Sequence, residues 1–336
     1  MTWAPCAASR WAMASPMPRD APLTRAVLPE RSNKGSGTEG STWACELRTA
    51  WYAPESSTGP VEAWHTPGER SMAQRRVLIT GAGSGLGQAL AMRYARAGDR
   101  VACVDIDAAR AELTRAALPG SGHLTMAANV ASDEAMEQVH ETVAREWGGL
   151  DVLVNNAGMA TGGAMVETTM AEWRTVLDVN VLSVVRGCRL FLPGMIAAGR
   201  GHVVNTASFA GLAGAPSIMS YGVSKAAVVA LSEQLRAEVH DKGIRVSVLC
   251  PAFFRTNLLE SWQGNPKLKD FAAKMMDTSP DTLDSVADHV FAALERGEFL
   301  VLPTKREPMR WRLKRWLPET YFRQLLKMVK SRAAGH

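Results

Sequence analysis

From residue 76 to residue 302, short apolar runs alternate with longer stretches in which apolar residues recur at helical spacing. The short runs lie near 76–80, 101–105, 123–129, 151–155, 202–207, 244–249 and 299–302. Runs such as Val77-Leu78-Ile79-Thr80 and Val101-Ala102-Cys103-Val104 read as strands buried on both faces. Gln88 to Ala97 is rich in helix formers and stops at Gly98, a C-cap residue. Ser220 through Leu235, rich in Ala, Val, Leu and Glu, predicts a second long helix. The alternation predicts an α/β fold, a doubly wound parallel sheet of about seven strands with helices on both faces.

Two segments fall outside this pattern. Residues 1–71 hold five of the ten tryptophans (Trp3, Trp11, Trp43, Trp51 and Trp64) and many Pro, Ser and Gly, without sustained periodicity. They contain no continuous apolar run of the kind a secretory signal needs, and Asp20, Glu30 and Glu39 interrupt any transit-peptide pattern. Met72-Ala73-Gln74-Arg75-Arg76 leads straight into the first strand, as a natural start would. The expectation is that 1–71 is a disordered or misassigned extension, that 72–302 is the folded domain, and that 303–336 is a basic amphipathic tail.

That tail changes the reading of the charge. From Pro303 to His336 there are ten Lys or Arg and two acids, a net of +8; the whole chain is +5, so the remainder is −3. Trp311 and Trp316 are interleaved with the cations, and Phe322, Leu325, Leu326 and Val329 recur at helical spacing. This apolar face either packs on the domain or another subunit, or meets an anionic membrane surface peripherally. No recognition motif accompanies the charge, so no nucleic acid is expected. No stretch reads as long and apolar enough to span a bilayer. Five cysteines without paired spacing imply no disulfide framework and fit a reducing, cytoplasmic compartment. The seven histidines lack ligand spacing, so no metal is expected.

The candidate chemistry lies in three short signatures. Thr80-Gly81-Ala82-Gly83-Ser84-Gly85-Leu86-Gly87 sits between the first strand and the first helix. Glycine there lets the backbone turn sharply and approach a pyrophosphate, and the helix N-terminus offers free N–H groups to the anion. Asp105 ends the second strand, about 20 residues past the glycines, where a carboxylate accepts from ribose hydroxyls and repels a 2′-phosphate. Ser84 adds no positive charge to offset that repulsion, which favours NAD over NADP. Asn155-Asn156-Ala157-Gly158 forms the second signature, and Ser208 with Tyr221-Gly222-Val223-Ser224-Lys225 the third. Tyr221 and Lys225 stand four apart, hence on one helix face. A free tyrosine titrates near pH 10, and a nearby ammonium lowers that value toward the range of a general base.

Taken together, from about Arg75 to about Leu259, these motifs resemble the short-chain dehydrogenase/reductase family, in the subgroup with a Thr-Gly-x-x-x-Gly-x-Gly turn. The resemblance implies a Rossmann-type sheet and an enzyme that moves a hydride between a nicotinamide cofactor and an alcohol or ketone. It implies Asn180, Ser208, Tyr221 and Lys225 as the catalytic set. Tyr221 transfers the proton, Ser208 orients the substrate oxygen, Lys225 also binds the nicotinamide ribose, and Asn180 holds a water of a proton relay. It places Gly81, Ser84, Gly85, Leu86, Gly87, Asp105, Asn129, Val130, Asn156, Ala157, Gly158, Pro251 and Thr256 against the cofactor. It also implies a homodimer or homotetramer formed through helices of the domain.

The chain departs from the family pattern in two places. Asn129 stands where an acid is frequent, and its amide can still hydrogen-bond adenine. Ala252 follows Pro251 where glycine is usual, so a restricted backbone and a reshaped nicotinamide wall are expected. The substrate pocket is expected from two apolar segments, with a lid near 257–280. Phe209, Leu212, Ile218 and Met219 come from the first; Phe253, Leu258, Leu259, Trp262, Phe271, Met275 and Met276 come from the second. Phe209, Met219, Phe253, Leu259 and Trp262 are the leading substrate contacts, and they imply a hydrophobic alcohol or ketone. The alternatives are an NADPH-dependent ketoreductase, ketoacyl reductases included, and a dinucleotide-sensing scaffold without turnover.

Overall fold

The computed structural model of the chain describes residues 74–333. The expectation for 1–71 lies outside the described residues. In chain order the elements are β1 (Arg76–Thr80), α1 (Gly85–Arg96), β2 (Arg100–Asp105), α2 (Ala108–Ala117), β3 (Leu124–Ala127), α3 (Asp133–Trp147), β4 (Val152–Asn155) and β5 (Thr161–Gly162). Then come α4 (Met170–Leu177), a π-helical turn (Asp178–Leu182), α5 (Ser183–Ala197), β6 (Gly201–Thr206), α6 (Phe209–Ala213), α7 (Met219–Val239) and β7 (Ile244–Leu249). A 3₁₀ turn (Asn257–Ser261), β8 (Gln263–Gly264), α8 (Pro266–Asp277), α9 (Leu283–Glu295), β9 (Leu300–Val301), α10 (Glu307–Trp316) and α11 (Pro318–Ala333) complete them.

Seven strands form one parallel sheet in the order β3-β2-β1-β4-β6-β7-β9. The order reverses at β1 and β4, which opens a crevice at the carboxyl ends of these two strands. Alternation along β1 divides the core. Val77 and Ile79 face the cluster that includes Leu90 and Tyr94 of α1 and Val290 of α9. Leu78 faces the other cluster, with Val139 of α3, Phe191 of α5 and Val228 of α7. Local chemistry bounds the helices. Asp107 caps α2 by accepting from the N–H groups of Ala109 and Arg110, and Gly148 ends α3 in the left-handed region.

The structure adjusts four expectations. Helix α1 begins at Gly85, three residues earlier than its composition suggests, so Gly85 and Gly87 lie inside its first turn. The parallel pairing of β5 with β8 was not legible in the sequence; it clasps the segment after Gln263 to the body of the domain. The helical run Met170–Ala197 is long and apolar enough to cross a membrane by length and composition, contrary to the sequence reading. Val184, Cys188, Phe191 and Met195 of that run are buried in the core, so its apolar content packs the sheet. Ala252 is not strained: Ser217 is the one non-glycine residue at positive φ among the described residues.

Candidate functional site

Thr80 ends β1 and fixes the glycine turn to the turn after β4. Its hydroxyl accepts from the backbone N–H groups of Asn156 and Ala157, each at 3.0 Å. The Asn156 amide donates back to the Thr80 carbonyl at 3.0 Å. Gly81 sits at φ +66°, and a Cβ there would lie 3.0 Å from the Ala157 Cα. A Cβ on Gly87 would lie 2.1 Å from the Gly81 carbonyl oxygen, so the turn closes on α1 only with glycine there. Ser84 precedes α1 and makes no side-chain cap, which leaves the first-turn N–H groups facing the crevice without a capping acceptor. That cradle fits the pyrophosphate of a dinucleotide.

At the end of β2, Asp105 accepts from Gly83 N at 2.8 Å and from Asp107 N at 3.0 Å. Each carboxylate oxygen keeps a lone pair for a ribose hydroxyl. Arg110 lines the same crevice, a residue the sequence reading did not single out. Its guanidinium is held by Glu260 at 2.7 Å and Asp107 at 3.4 Å. The signal was available: Arg110 lies in the first turn of the helix that Asp107 caps.

Across the crevice, α7 presents Tyr221 and Lys225 on one face. Lys225 is 4% exposed, and its Nζ donates to the Thr206 carbonyl at 3.0 Å and lies 5.9 Å from the Tyr221 ring centroid. Burial without a carboxylate partner pulls the ammonium down to about 8. Tyr221 moves the other way. Burial raises the phenol above its ordinary value, the Ser208 hydroxyl pulls it back in part, and the Cys250 thiol adds to the rise. Desolvation therefore sets the direction in this state, and Lys225 is not among the groups that move the phenol. Ser208 caps α6, accepting from Ala210 N at 3.1 Å and donating to the Pro251 carbonyl at 3.3 Å.

Asn180 lies in the π-helical turn, a feature that often marks functional sites. Its amide oxygen accepts from Met159 N at 2.9 Å, and its nitrogen donates to Met159 O and Ser224 Oγ, each at 3.0 Å. Ser224 in turn donates to the Tyr221 carbonyl at 2.8 Å. A Cβ on Gly158 would meet Asn180 Oδ1 at 3.0 Å and Lys225 Nζ at 3.2 Å, so the bare glycine lets both groups approach.

These groups border one cavity of about 820 Å³. Gly81, Ser84, Gly85, Leu86, Asp105, Asn129 and Val130 line the half beside the glycine turn. Asn156, Ala157, Gly158, Ser208, Tyr221, Lys225, Pro251 and Thr256 line the rest. Gly87 and Asn180 do not: the first packs under the turn and the second behind Gly158. Of the expected substrate contacts, Trp262 lines the cavity, as do Leu258 and Met276. Phe209, Met219, Phe253 and Leu259 do not, nor do Leu212, Ile218, Phe271 and Met275. Phe209 and Leu212 turn inward from α6 into the core, and Phe253 is 40% exposed while its neighbour Phe254 takes the cavity wall. Among the described residues no group of three His, Cys, Asp or Glu side chains forms a metal cluster.

Comparison with known proteins agrees with this geometry. Residues 75–267 match the short chain dehydrogenase family. The "Probable oxidoreductase EphD" of Mycobacterium tuberculosis is 37% identical over 186 residues, 54% of this chain, yet the match spans only 31% of that longer protein. The meso-2,3-butanediol dehydrogenase of Serratia marcescens is 33% identical over 55% of this chain and 74% of its own length. A short-chain dehydrogenase/reductase from Burkholderia phymatum in complex with NAD superposes with a TM-score of 0.70 at 28% identity, covering 74% of this chain and 95% of that one. A short-chain dehydrogenase from Sphingobium yanoikuyae in complex with NADPH gives 0.61 at 29% identity, over 76% and 95% of the two chains. With the glycine turn, the seven-stranded order and the Tyr221–Lys225 face on one crevice, the chain belongs to the short-chain dehydrogenase/reductase family.

Proposed function

We propose that the protein is an oxidoreductase that transfers a hydride between NAD(H) and a hydrophobic alcohol or ketone, with Tyr221 as its general acid and base. The observation that carries this reading is the meeting of Ser208, Tyr221 and Lys225 with the glycine turn on one cavity. The nicotinamide, when bound, donates or accepts the hydride; the protein supplies the proton. In the direction of reduction, the half-buried Tyr221 phenol is protonated at neutral pH and gives its proton to the carbonyl oxygen as the alcohol forms. Ser208 Oγ can leave the Pro251 carbonyl, a long 3.3 Å bond, and donate to the same oxygen. In the direction of oxidation, the charged form of Lys225 favours the phenolate that accepts the alcohol proton. Asn180, bonded to Met159 and Ser224, holds the Gly158–Met159 backbone beside Lys225, and its amide oxygen keeps a lone pair for the relay water.

Asp105 supports NAD as the cofactor, because its two oxygens suit ribose hydroxyls and repel a phosphate. One observation favours NADPH instead: Arg110 stands in the same crevice and could meet a 2′-phosphate if it left Glu260. Fluorescence titration separates the two. NADH is expected to bind tighter than NADPH, and Asp105→Ser is expected to weaken NADH about tenfold or more, the scale of one charged hydrogen bond. Tighter NADPH binding by the unaltered protein would overturn the assignment and favour the Arg110 reading. The cavity wall of Met159, Phe254, Leu258, Trp262 and Met276 supports an apolar substrate. A panel of alcohols is expected to show kcat/KM rising with apolar size; turnover of small charged substrates alone would refute this.

A further inference from the structure

The C-terminal helices are a fixed part of the domain on one side and open on the other. Lys314 Nζ donates to the Leu212 carbonyl at 2.5 Å, and the Tyr321 hydroxyl donates to the Ala213 carbonyl at 3.0 Å. Trp311 packs against the core cluster. Both bonds end on α6, the short helix that Ser208 begins, so the α10–α11 hairpin is tied to the segment running on from the substrate end of the cavity. The inner face of α11 is Tyr321, Leu325 and Val329, half-buried and spaced by one turn.

The outer face has the opposite character. Phe322 is 51% exposed and Leu326, one turn on, is 40% exposed; Trp316 and Leu317 at the hairpin corner are exposed as well. Arg323, Lys327 and Lys330 run beside this apolar stripe at helical spacing, and all three are exposed. Of the two acids in the tail, Glu307 is buried, which leaves Glu319 alone on the surface. An apolar stripe with aromatic rings, flanked by cations, is the pattern of a helix lying in a membrane interface.

We propose that this face of the α10–α11 hairpin docks on an anionic phospholipid bilayer. Charge decides among the occupants. A second copy seated on the same face would bring two +8 tails together, because a two-fold interface sets each patch against itself. A nucleic acid would satisfy the cations and leave Phe322 and Leu326 in water. An anionic bilayer takes both, with headgroups for Arg323, Lys327 and Lys330 and acyl chains for the apolar stripe. The proposal does not depend on the hydride-transfer reading, since neither stripe touches the cavity.

Vesicle flotation of the full chain tests it. The protein is expected to float with vesicles of phosphatidylcholine mixed with phosphatidylglycerol, to stay behind with phosphatidylcholine alone, and to release at high salt. Arg323→Glu/Lys327→Glu is expected to bind anionic vesicles at least about 25-fold more weakly, at roughly fivefold per cation removed. Phe322→Ser/Leu326→Ser is expected to lose flotation while its melting curve and NADH binding stay those of the unaltered protein. The idea is overturned if the unaltered chain fails to float with anionic vesicles, or if the charge-reversed variant floats equally well. It is also overturned if Phe322→Ser/Leu326→Ser abolishes self-association in the absence of any flotation.

Discussion

Tyr221→Phe is expected to lower kcat by about 10²- to 10⁴-fold, the range over which a positioned acid or base contributes, with little change in NADH binding. The hydroxyl is the one atom removed, and its neighbour in the structure is the Ser208 hydroxyl. The ring remains as packing for α7, and Lys225 keeps its bond to the Thr206 carbonyl. The glycine turn is fixed through Thr80, Gly81, Asn156 and Ala157, none of which depends on the phenol. Loss of turnover with retained cofactor binding separates a proton-transfer role from a packing role. Retained turnover would sink the assignment. A scaffold that only senses the dinucleotide would show no turnover to lose, and its partner binding would survive the change.

The second large effect belongs to Lys225. Its ammonium is buried, and burial lowers its pKa from 10.5 to about 8. Between those two values the unfolded chain holds a proton that the folded protein releases. Stability therefore rises with pH across that window, and below pH 8 the full penalty of burying the cation is present. A displacement of that size corresponds to about 3 kcal/mol. Lys225→Met keeps the length and apolar stem and removes the charge. It leaves the Thr206 carbonyl without its donor, a loss of about 1 kcal/mol. The variant is expected to be about 2 kcal/mol more stable than the parent at pH 7, with the gain fading between pH 8 and 10.5, and to lose turnover. Denaturant unfolding of both proteins at each pH gives the difference directly. A variant less stable at pH 7, or a difference that does not vary with pH, would mean that the site compensates the ammonium by bonds not seen here. Stability gained on removing a group whose charge chemistry requires is the expected mark of a functional site.

Much of the fold was legible because the physics that sets it is local. The central strands β1, β2 and β4 are buried and nearly apolar throughout, so they announce themselves as short apolar runs between helical stretches, whereas β6 and β7 also bury His202, Asn205 and Ser247. The edge strand β3 was overdrawn by three residues, since an edge alternates and its ends blend into polar loops. The glycine turn was legible because a Cβ at Gly81 would crowd Ala157 and one at Gly87 would collide with the Gly81 carbonyl. Spacing placed Tyr221 and Lys225 on one face, and Asp105 at a strand end, for equally local reasons.

What spacing could not supply was the balance of forces at a point in space. Whether Lys225 lowers the Tyr221 phenol depends on the distance between them and on how much water both have lost, and in this state desolvation dominates. Phe209 and Phe254 are chemically alike, yet one enters the core and the other the cavity, because α6 and the segment after β7 turn their side chains in different directions. The clasp of β5 on β8, the hold of Glu260 on Arg110 and the bonds from Lys314 and Tyr321 to α6 join residues about 100 or more apart in sequence. The sequence by itself determined the sheet, the glycine turn and the placing of Tyr221 and Lys225 on one helix face, each written in short-range backbone geometry. Only the tertiary structure decided how far those side chains are buried, which residues wall the cavity and which face of the tail stays in solvent, because burial and distance are properties of the assembled chain.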